Sequence, residues 1–155
     1  MAMTWDEVLA ATDAEVHSGK LRGNDTIPHI TTDTRKIGAG DLFIALRGEN
    51  FDGADFAADA LHKGAAAVLV NAPLSASVQK DLKKEKGTVL TVPDTLKAYQ
   101  EIAHAWRMKF DIPVVAITGS NGKTTTKDLT AAVLWHGSPR LTGWPGHEAL
   151  LSGRH

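Results

Sequence analysis

The chain has 155 residues, of which 43% are hydrophobic and 23% charged, and its net charge is −1. These values are typical of a soluble globular protein with one domain or slightly more. The near-neutral charge gives no electrostatic case for a nucleic-acid partner or for membrane insertion. The absence of cysteine excludes disulfides, thiolate metal sites and cysteine nucleophiles. The start of the chain lacks the basic segment of a signal peptide, so we expect a cytoplasmic protein, and a monomer.

The first elements are short and separated by glycine-rich turns. Residues 4–12 are predicted to form a helix, because Thr4 can cap it and Glu7 can complete a capping box. Residues 29–33 are typical of a short strand, and the apolar run 41–46 is typical of another. Two turns, KIGAGD and RGENFDG, follow these strands.

From residue 54 onward, helices and apolar strands alternate. The spacing predicts a helix whose buried face holds Phe56, Ala60 and Leu61. Later segments are predicted to be a strand (AAAVLV), an amphipathic helix (SASVQKDLKKEKG) and a strand (TVLTV). The longest helix follows Pro93, and its apolar stripe is predicted to be Leu96, Tyr99, Ile102, Ala103 and Trp106. The strand VVAIT comes next, and the alternation predicts an α/β fold with a parallel sheet.

A glycine-rich segment between VVAIT and a helix over 123–134 has the features of a phosphate-binding loop. Gly119 and Gly122 allow the backbone to curl closely around an anion. Lys123 supplies a positive charge for the β- and γ-phosphates, and a hydroxyl from Thr124 or Thr125 can ligate Mg²⁺.

The general phosphate-loop pattern has glycine where this chain has Ile117, so the loop is the shorter T-G-S-N-G-K-T form. The alternative interpretation is a glycine turn that caps a helix. The predicted phosphate-binding residues are Thr118, Gly119, Ser120, Asn121, Gly122, Lys123, Thr124 and Thr125.

The segment TGSNGKTTTK resembles the ATP loop of the Mur ligases, which build the peptide of bacterial cell-wall precursors. The stretch TTDTRKIGAGDLFIALRGENFDGADFAADALHKGAAAVLV is similar to the N-terminal domain of the two late-acting members. The resemblance covers about residues 27–134. RGENFDG and GSNGKTTTKDL favour the member that joins D-alanyl-D-alanine to UDP-N-acetylmuramoyl-tripeptide. The alternative is the member that adds the third peptide residue.

The resemblance implies an ATP-dependent, amide-forming ligase with Mg²⁺ as cofactor. ATP phosphorylates the peptide carboxylate, and the amine of D-alanyl-D-alanine attacks the acyl phosphate. By the same resemblance Lys123 and Thr124 are the catalytic residues. Lys123 stabilises the γ-phosphate and Thr124 holds Mg²⁺.

The resemblance also implies a site for the UDP end of the precursor. Arg35 and Arg47 suit phosphate, Asn50 suits the edge of uracil, and Phe51 suits stacking on it. Two local alternatives remain open: an ion pair of Asp33 with Arg35, and a plain turn over GENFDG with Asp52 as helix cap. The predicted UDP-site residues are Thr34, Arg35, Arg47, Glu49, Asn50 and Phe51.

Three segments follow from the resemblance. Residues 1–111 are expected to be the precursor-binding domain. Residues 112–134 are expected to be the first strand, phosphate loop and helix of a truncated ATP-binding domain. Residues 135–155 change in composition, which suggests a frame shift or a joined foreign end. We expect this tail to be poorly ordered and the isolated chain to be inactive.

Three other functions remain as alternatives. A folate polyglutamylating ligase shares a similar loop but lacks the DTRKIGAGDLFIAL stretch. A UDP-precursor binding module would bind the precursor without turnover. A small phosphate-loop nucleotidase would hydrolyse ATP by itself, although the chain offers no later strand with a carboxylate for Mg²⁺.

Overall fold

The computed structural model describes residues 2–48, 51–112 and 114–137. The chain divides into two compact units, Met1–Asp111 and Ile112–His155. The first unit contains all the strands of the described residues, and the second contains one helix. The assignment of these two units to precursor binding and ATP binding stays a prediction.

A five-stranded sheet organises the first unit. Its strands are β2 (Glu15–Ser18), β4 (Ile30–Thr31), β5 (Leu42–Ile44), β6 (Ala67–Asn71) and β7 (Thr88–Val92). Their order in the sheet is β2-β7-β6-β5-β4. Strands β4 to β7 are parallel, and β2 pairs antiparallel with β7 at one edge. The α/β fold with a parallel sheet predicted from the alternation is therefore confirmed. A separate antiparallel pair is formed by β1 (Met3–Thr4) and β3 (Thr26–Ile27).

Helices cover both faces of this sheet, because successive side chains of a strand point to opposite faces. Leu42, Ile44 and Leu69 belong to one buried cluster, whereas Phe43 and Val68 belong to the other. The helices are α1 (Trp5–Thr12) and α4 (Thr95–Met108) on the first face, and α2 (Ala57–His62) and α3 (Ala76–Leu82) on the second.

The predicted start of α1 is confirmed in detail. The Thr4 hydroxyl accepts from the Glu7 N–H at 3.3 Å, and the Glu7 carboxylate accepts from the Thr4 N–H at 2.9 Å. Lys109, just after α4, donates to the same carboxylate. The hydrogen bond from Lys109, followed by the one from the Thr4 backbone, lowers the pKa of Glu7. This cap thus links the start of α1 to the end of α4.

The predicted buried stripe of α4 was wrong in part. Ile102 is buried and Trp106 half-buried, but Leu96 is 53% exposed, Tyr99 is 39% exposed, and Ala103 is exposed as well. Thr95 sets the rotation of the helix, because its hydroxyl donates to Ala45 O at 2.9 Å and its N–H donates to Asn71 Oδ1 at 2.7 Å. The face that this rotation buries against the sheet is Thr95, Ala98 and Ile102.

The predicted burial of Phe56 was also wrong. Residues Gly53–Phe56 form a 3-10 turn, which has fewer residues per turn than an α-helix and so shifts the phase of the residues after it. Ala57 is buried in place of Phe56, which is 47% exposed. The buried face of α2 is Ala57, Ala60 and Leu61.

The second unit departs from the predicted strand–loop–helix. Helix α5 spans Lys123–Gly137, three residues beyond the predicted end. Residues 114–118 have no strand structure, and Val114 and Val115 are more than 60% exposed. A strand exists only through pairing with a neighbour, and none of the described strands pairs with this segment. Most of the predicted tail, residues 138–155, lies outside the described residues.

No helix within the described ranges is long and apolar enough to cross a lipid bilayer.

Candidate functional site

Two cavities lie beyond the carboxyl ends of the parallel strands, the edge where open α/β sheets bind ligands. The first, which we call the Arg35 cavity, has a volume of about 340 Å³. It brings together three of the predicted UDP-site residues, namely Thr34, Arg35 and Phe51. Its remaining lining residues are Thr32, Asp33, Phe43, Leu46, Gly53 and Phe56.

Arg35 is held by an ion pair, as one of the two local alternatives proposed. The Asp33 carboxylate accepts from the Arg35 Nε and Nη2 groups, each at 2.8 Å, and from the Arg35 backbone N–H at 3.0 Å. Asp33 thereby caps the 3-10 turn Thr34–Lys36 and fixes the direction of the guanidinium. These contacts leave the Nη1 group of Arg35 for an anion, so the ion pair is compatible with phosphate binding.

The same contacts control the pKa of Asp33. The side-chain hydrogen bonds from Arg35, followed by its backbone hydrogen bond, lower the pKa of Asp33 to about 2. The pKa of Arg35 is raised by the same hydrogen bonds. The carboxyl pKa is lower in the folded state than in the unfolded chain. The pair therefore contributes stability above about pH 4, and that contribution is lost as the pH falls toward about 2.

We expect Arg35→Gln to raise the pKa of Asp33 toward about 3.9, the ordinary aspartate value. Carboxyl-carbon NMR during an acid titration measures this midpoint directly. Asp81 is the internal control, because hydrogen bonding to Lys84 lowers its pKa independently of Arg35. An Asp33 midpoint that stays near 2 in the variant would contradict the assigned cause.

The loop that follows β5 is closed by backbone contacts. Gly48 N donates to Phe51 O at 2.9 Å, and Gly53 N donates to Leu46 O at 3.0 Å. Asp52 caps the next turn by accepting from Ala54 N at 3.0 Å, as predicted for a plain turn over GENFDG. The predicted cap is therefore confirmed for the part of this loop that the structure describes, and ligand contact by the loop stays a prediction. The turn also carries Phe51 into the Arg35 cavity.

Arg47 lies at a different cavity. It pairs with Asp52, with Nε and Oδ2 3.3 Å apart, and its side chain is 71% exposed. The second cavity, of about 160 Å³, is lined by Arg47, Asp52, Ala54, Asp55, Asn71, Ala72, Pro73, Leu74, Ser75 and Val78. The predicted residues Glu49 and Asn50 lie outside the described residues. The structure thus separates Arg47 from the lining that Thr34, Arg35 and Phe51 share.

The sequence interpretation missed several lining residues of the Arg35 cavity. Phe56 was assigned to the core from helical spacing, and Phe43 and Leu46 were assigned to a strand without a site role. The useful signal was Asp52, because a cap at this position starts the turn at Gly53. The 3-10 geometry of that turn moves Phe56 off the buried face. Nothing in the sequence around Thr32 indicated that this residue would line the cavity.

In the second unit, the predicted phosphate-binding residues form one loop and the first turn of α5. Gly122 has φ of +77°, a left-handed conformation that glycine adopts without strain. The Lys123 ammonium donates to Gly119 O, which curls the loop, and Thr126 N donates to Gly122 O at 2.9 Å. The side chains of Lys123, Thr124 and Thr125 are exposed. This arrangement fits an anion at the start of a 15-residue helix.

No cluster of three or more His, Cys, Asp or Glu side chains placed to hold a metal ion occurs within the described part of the chain. A hydroxyl is one of the oxygen ligands that Mg²⁺ accepts alongside phosphates and water. The exposed Thr124 and Thr125 hydroxyls beside the loop fit that limited role.

Comparisons with known proteins identify the family to which this chain belongs. A family model described as "Mur ligase family, catalytic domain" matches residues 26–107, more than half of the chain. The chain belongs to the Mur ligase family. The matched range contains the Arg35 cavity and ends before the phosphate loop. The description names a catalytic domain, so it leaves the role of residues 1–111 in precursor binding as a prediction.

Individual relatives carry a more specific name. The chain is 51% identical over 108 residues to a UDP-N-acetylmuramoyl-tripeptide–D-alanyl-D-alanine ligase of Synechocystis, covering 70% of this chain and 22% of that protein. The structure of this chain resembles MurF from Acinetobacter baumannii with a TM-score of 0.74, at 31% identity. The match covers 90% of this chain and 29% of the Acinetobacter chain.

A MurF ligase from Thermotoga maritima, solved in complex with ADP, matches with a TM-score of 0.53 at 30% identity. The match covers 64% of this chain and 21% of that one. The chain therefore spans less than a third of the length of each of these three proteins.

Proposed function

We propose that this chain is the UDP-binding part, with the phosphate loop, of a MurF-type ligase of peptidoglycan precursor synthesis. The whole enzyme would join D-alanyl-D-alanine to UDP-N-acetylmuramoyl-tripeptide. The observation that carries the proposal is the Arg35 cavity, where Thr34, Arg35 and Phe51 line one space at the carboxyl edge of the sheet. The name of the 51% identical relative supports this member over the one that adds the third residue.

The Arg35 cavity has the groups that a uridine diphosphate requires. The guanidinium of Arg35 is oriented by Asp33 and binds a phosphate oxygen through hydrogen bonds strengthened by charge. The exposed ring of Phe51 offers a flat apolar surface to the base. The Thr34 hydroxyl donates or accepts at the polar edge of the ligand. Arg47, in the neighbouring cavity, contributes a second positive charge for the diphosphate.

The phosphate loop would act on ATP. The Lys123 ammonium compensates the charge that develops on the γ-phosphate as it passes to the peptide carboxylate, with ADP as the leaving group. The amine of D-alanyl-D-alanine then displaces phosphate from the acyl phosphate and forms the amide. The Thr124 hydroxyl would hold Mg²⁺, which supplies further charge neutralisation at the phosphates. The ADP complex of the related Thermotoga ligase supports nucleotide binding by this family.

The three proposed substrates, the UDP-precursor, ATP and D-alanyl-D-alanine, are soluble small molecules, so we place the reaction in the cytoplasm. We also propose that the enzyme is a monomer. A module that binds the UDP-precursor without catalysis remains the second candidate, since the Arg35 cavity lies entirely in the first unit.

Calorimetric titration of the full chain tests the proposal, with UDP-N-acetylmuramoyl-tripeptide and Mg-ATP added separately. We expect the precursor to bind, and Arg35→Ala to weaken that binding about tenfold, because a charge-assisted hydrogen bond to phosphate is lost. Lys84→Ala is the matched control, since it removes an exposed cation that pairs with Asp81 and lines none of the described cavities. Its affinity for the precursor should equal that of the unmodified chain.

Mg-ATP distinguishes the two candidates. Binding of Mg-ATP that is lost in Lys123→Ala supports the ligase. Precursor binding with no response to Mg-ATP supports the binding module. Failure of the precursor to bind at all would overturn the assignment of the first unit.

A further inference from the structure

We propose that Phe56, which lines the Arg35 cavity together with Phe51, is a base-contacting residue that binds the pyrimidine ring of a nucleoside diphosphate. This inference rests on the proposed function and adds a residue and a place for the base to it. The base would lie in the Arg35 cavity, and the Arg47 cavity would not receive it.

The exposure of two phenylalanine side chains at one cavity is the first observation. Phe51 is 61% exposed and Phe56 47% exposed, and both line the Arg35 cavity. A large apolar ring left in water forgoes the stability that its burial would give, so two such rings at one cavity indicate a surface that a ligand covers. Phe43 and Leu46 add an apolar floor.

The turn that carries Phe56 is fixed by close backbone packing, so this part of the apolar surface is preformed. Gly53 packs directly on the end of β5, where an added Cβ would lie 2.5 Å from Leu46 O. Phe51 packs on Gly48, where an added Cβ would lie 2.8 Å from the ring. Asp52, between them, caps the turn that carries Phe56. A preformed site loses little conformational entropy when it binds its ligand.

The polar side of the cavity identifies the class of ligand. Thr32 and Thr34 offer hydroxyl groups and Arg35 a guanidinium, in a cavity that aromatic side chains also line. A ligand that matches has a flat ring with polar edges joined to an anionic group, which describes a nucleoside diphosphate. The cavity volume of about 340 Å³ accommodates a pyrimidine and part of its ribose.

Titration of the full chain with uridine 5′-diphosphate, followed by proton NMR of the H5 and H6 protons of uracil, tests the inference. Rings stacked on the base shift these signals upfield. We expect Phe56→Leu to reduce that shift and to weaken binding about tenfold, as for other base–aromatic contacts. Phe56→Tyr should restore both, because it keeps the ring.

Phe110→Leu is the matched control. Phe110 is 37% exposed and packs edge-on against Trp106, and it lines none of the described cavities. The Phe110→Leu variant should bind uridine 5′-diphosphate with the affinity of the unmodified chain and should produce the same upfield shift. Equal binding and equal shifts in Phe56→Leu would overturn the inference while leaving the proposed function intact. If uridine 5′-diphosphate fails to bind the unmodified chain, the proposed function fails first.

Discussion

Leu69→Ala is expected to lower the free energy of unfolding by about 3 kcal/mol, within the range for a buried leucine that leaves a cavity. Leu69 is fully buried on β6, the middle strand of the sheet, and it belongs to the cluster beneath α1 and α4. The cavity cannot close easily, because β5 and β7 hold β6 on both sides. Urea denaturation followed by circular dichroism measures the change.

Leu96→Ala is the control for this result. Leu96 is 53% exposed in the first turn of α4, where alanine also has a slightly higher helix propensity. The free energy of unfolding should change by less than about 0.5 kcal/mol. Similar losses for Leu69→Ala and Leu96→Ala would contradict the burial that distinguishes them. They would instead support the stripe predicted from sequence, in which Leu96 faces the core.

The two errors in the helices have different physical origins. Phe56 was misplaced by a local effect, the 3-10 turn that Asp52 caps. The error in α4 has a distant cause. Apolar spacing predicts that a helix exists, but a tertiary contact sets its rotation. For α4, that contact is the pair of hydrogen bonds that fix Thr95 to Ala45 and Asn71. These partners lie 50 and 24 positions earlier in the chain, beyond any local pattern. The capping box at Thr4 was predictable because both its partners lie within one turn.

Strands with a strong local sequence pattern were predicted, whereas a strand that depends on a distant partner was missed. The buried runs around β5, β6 and β7 were predicted, since apolar β-branched segments between turns are a strong local signal. The strand β2 was missed: all of its residues are exposed, and it exists only through pairing with β7, more than 70 residues away. The segment VVAIT is the reverse case of β2. It has a strong strand pattern, but it has no paired neighbour among the described residues and so forms no strand.

Most residues of the candidate site could be predicted from the sequence, but their distribution between two cavities could not. The D-T-R and GENFDG motifs indicated Thr34, Arg35 and Phe51, which share one cavity. The same motifs placed Arg47 with them, yet its side chain turns to Asp52 and lines the neighbouring cavity. Side-chain direction at the end of a strand depends on the loop that follows, and the closure of that loop by Gly53 and Leu46 is not a sequence pattern.

Gly53→Ala is expected to destabilise the first unit by about 3 kcal/mol and to weaken binding of uridine 5′-diphosphate. The new Cβ would lie 2.5 Å from Leu46 O and 2.8 Å from Ala45 C. These are backbone atoms at the end of β5, so neither can move without displacing the strand. The shift would also carry Phe51 and Phe56, on either side of Gly53, away from Arg35. Urea denaturation and calorimetric titration measure the two effects.

Two other glycine-to-alanine variants separate these effects. At Gly38 an added Cβ comes no nearer than 3.4 Å to Asp41 Oδ2, so alanine should be neutral or stabilise the chain slightly. At Gly48 the added Cβ meets only the ring of Phe51. That ring is exposed and can move, so Gly48→Ala should change stability by less than about 1 kcal/mol, yet weaken ligand binding. If Gly53→Ala proved as harmless as Gly38→Ala, the close packing of the turn on β5 would be refuted. The preformed position of Phe56, which depends on that packing, would then lose its structural basis.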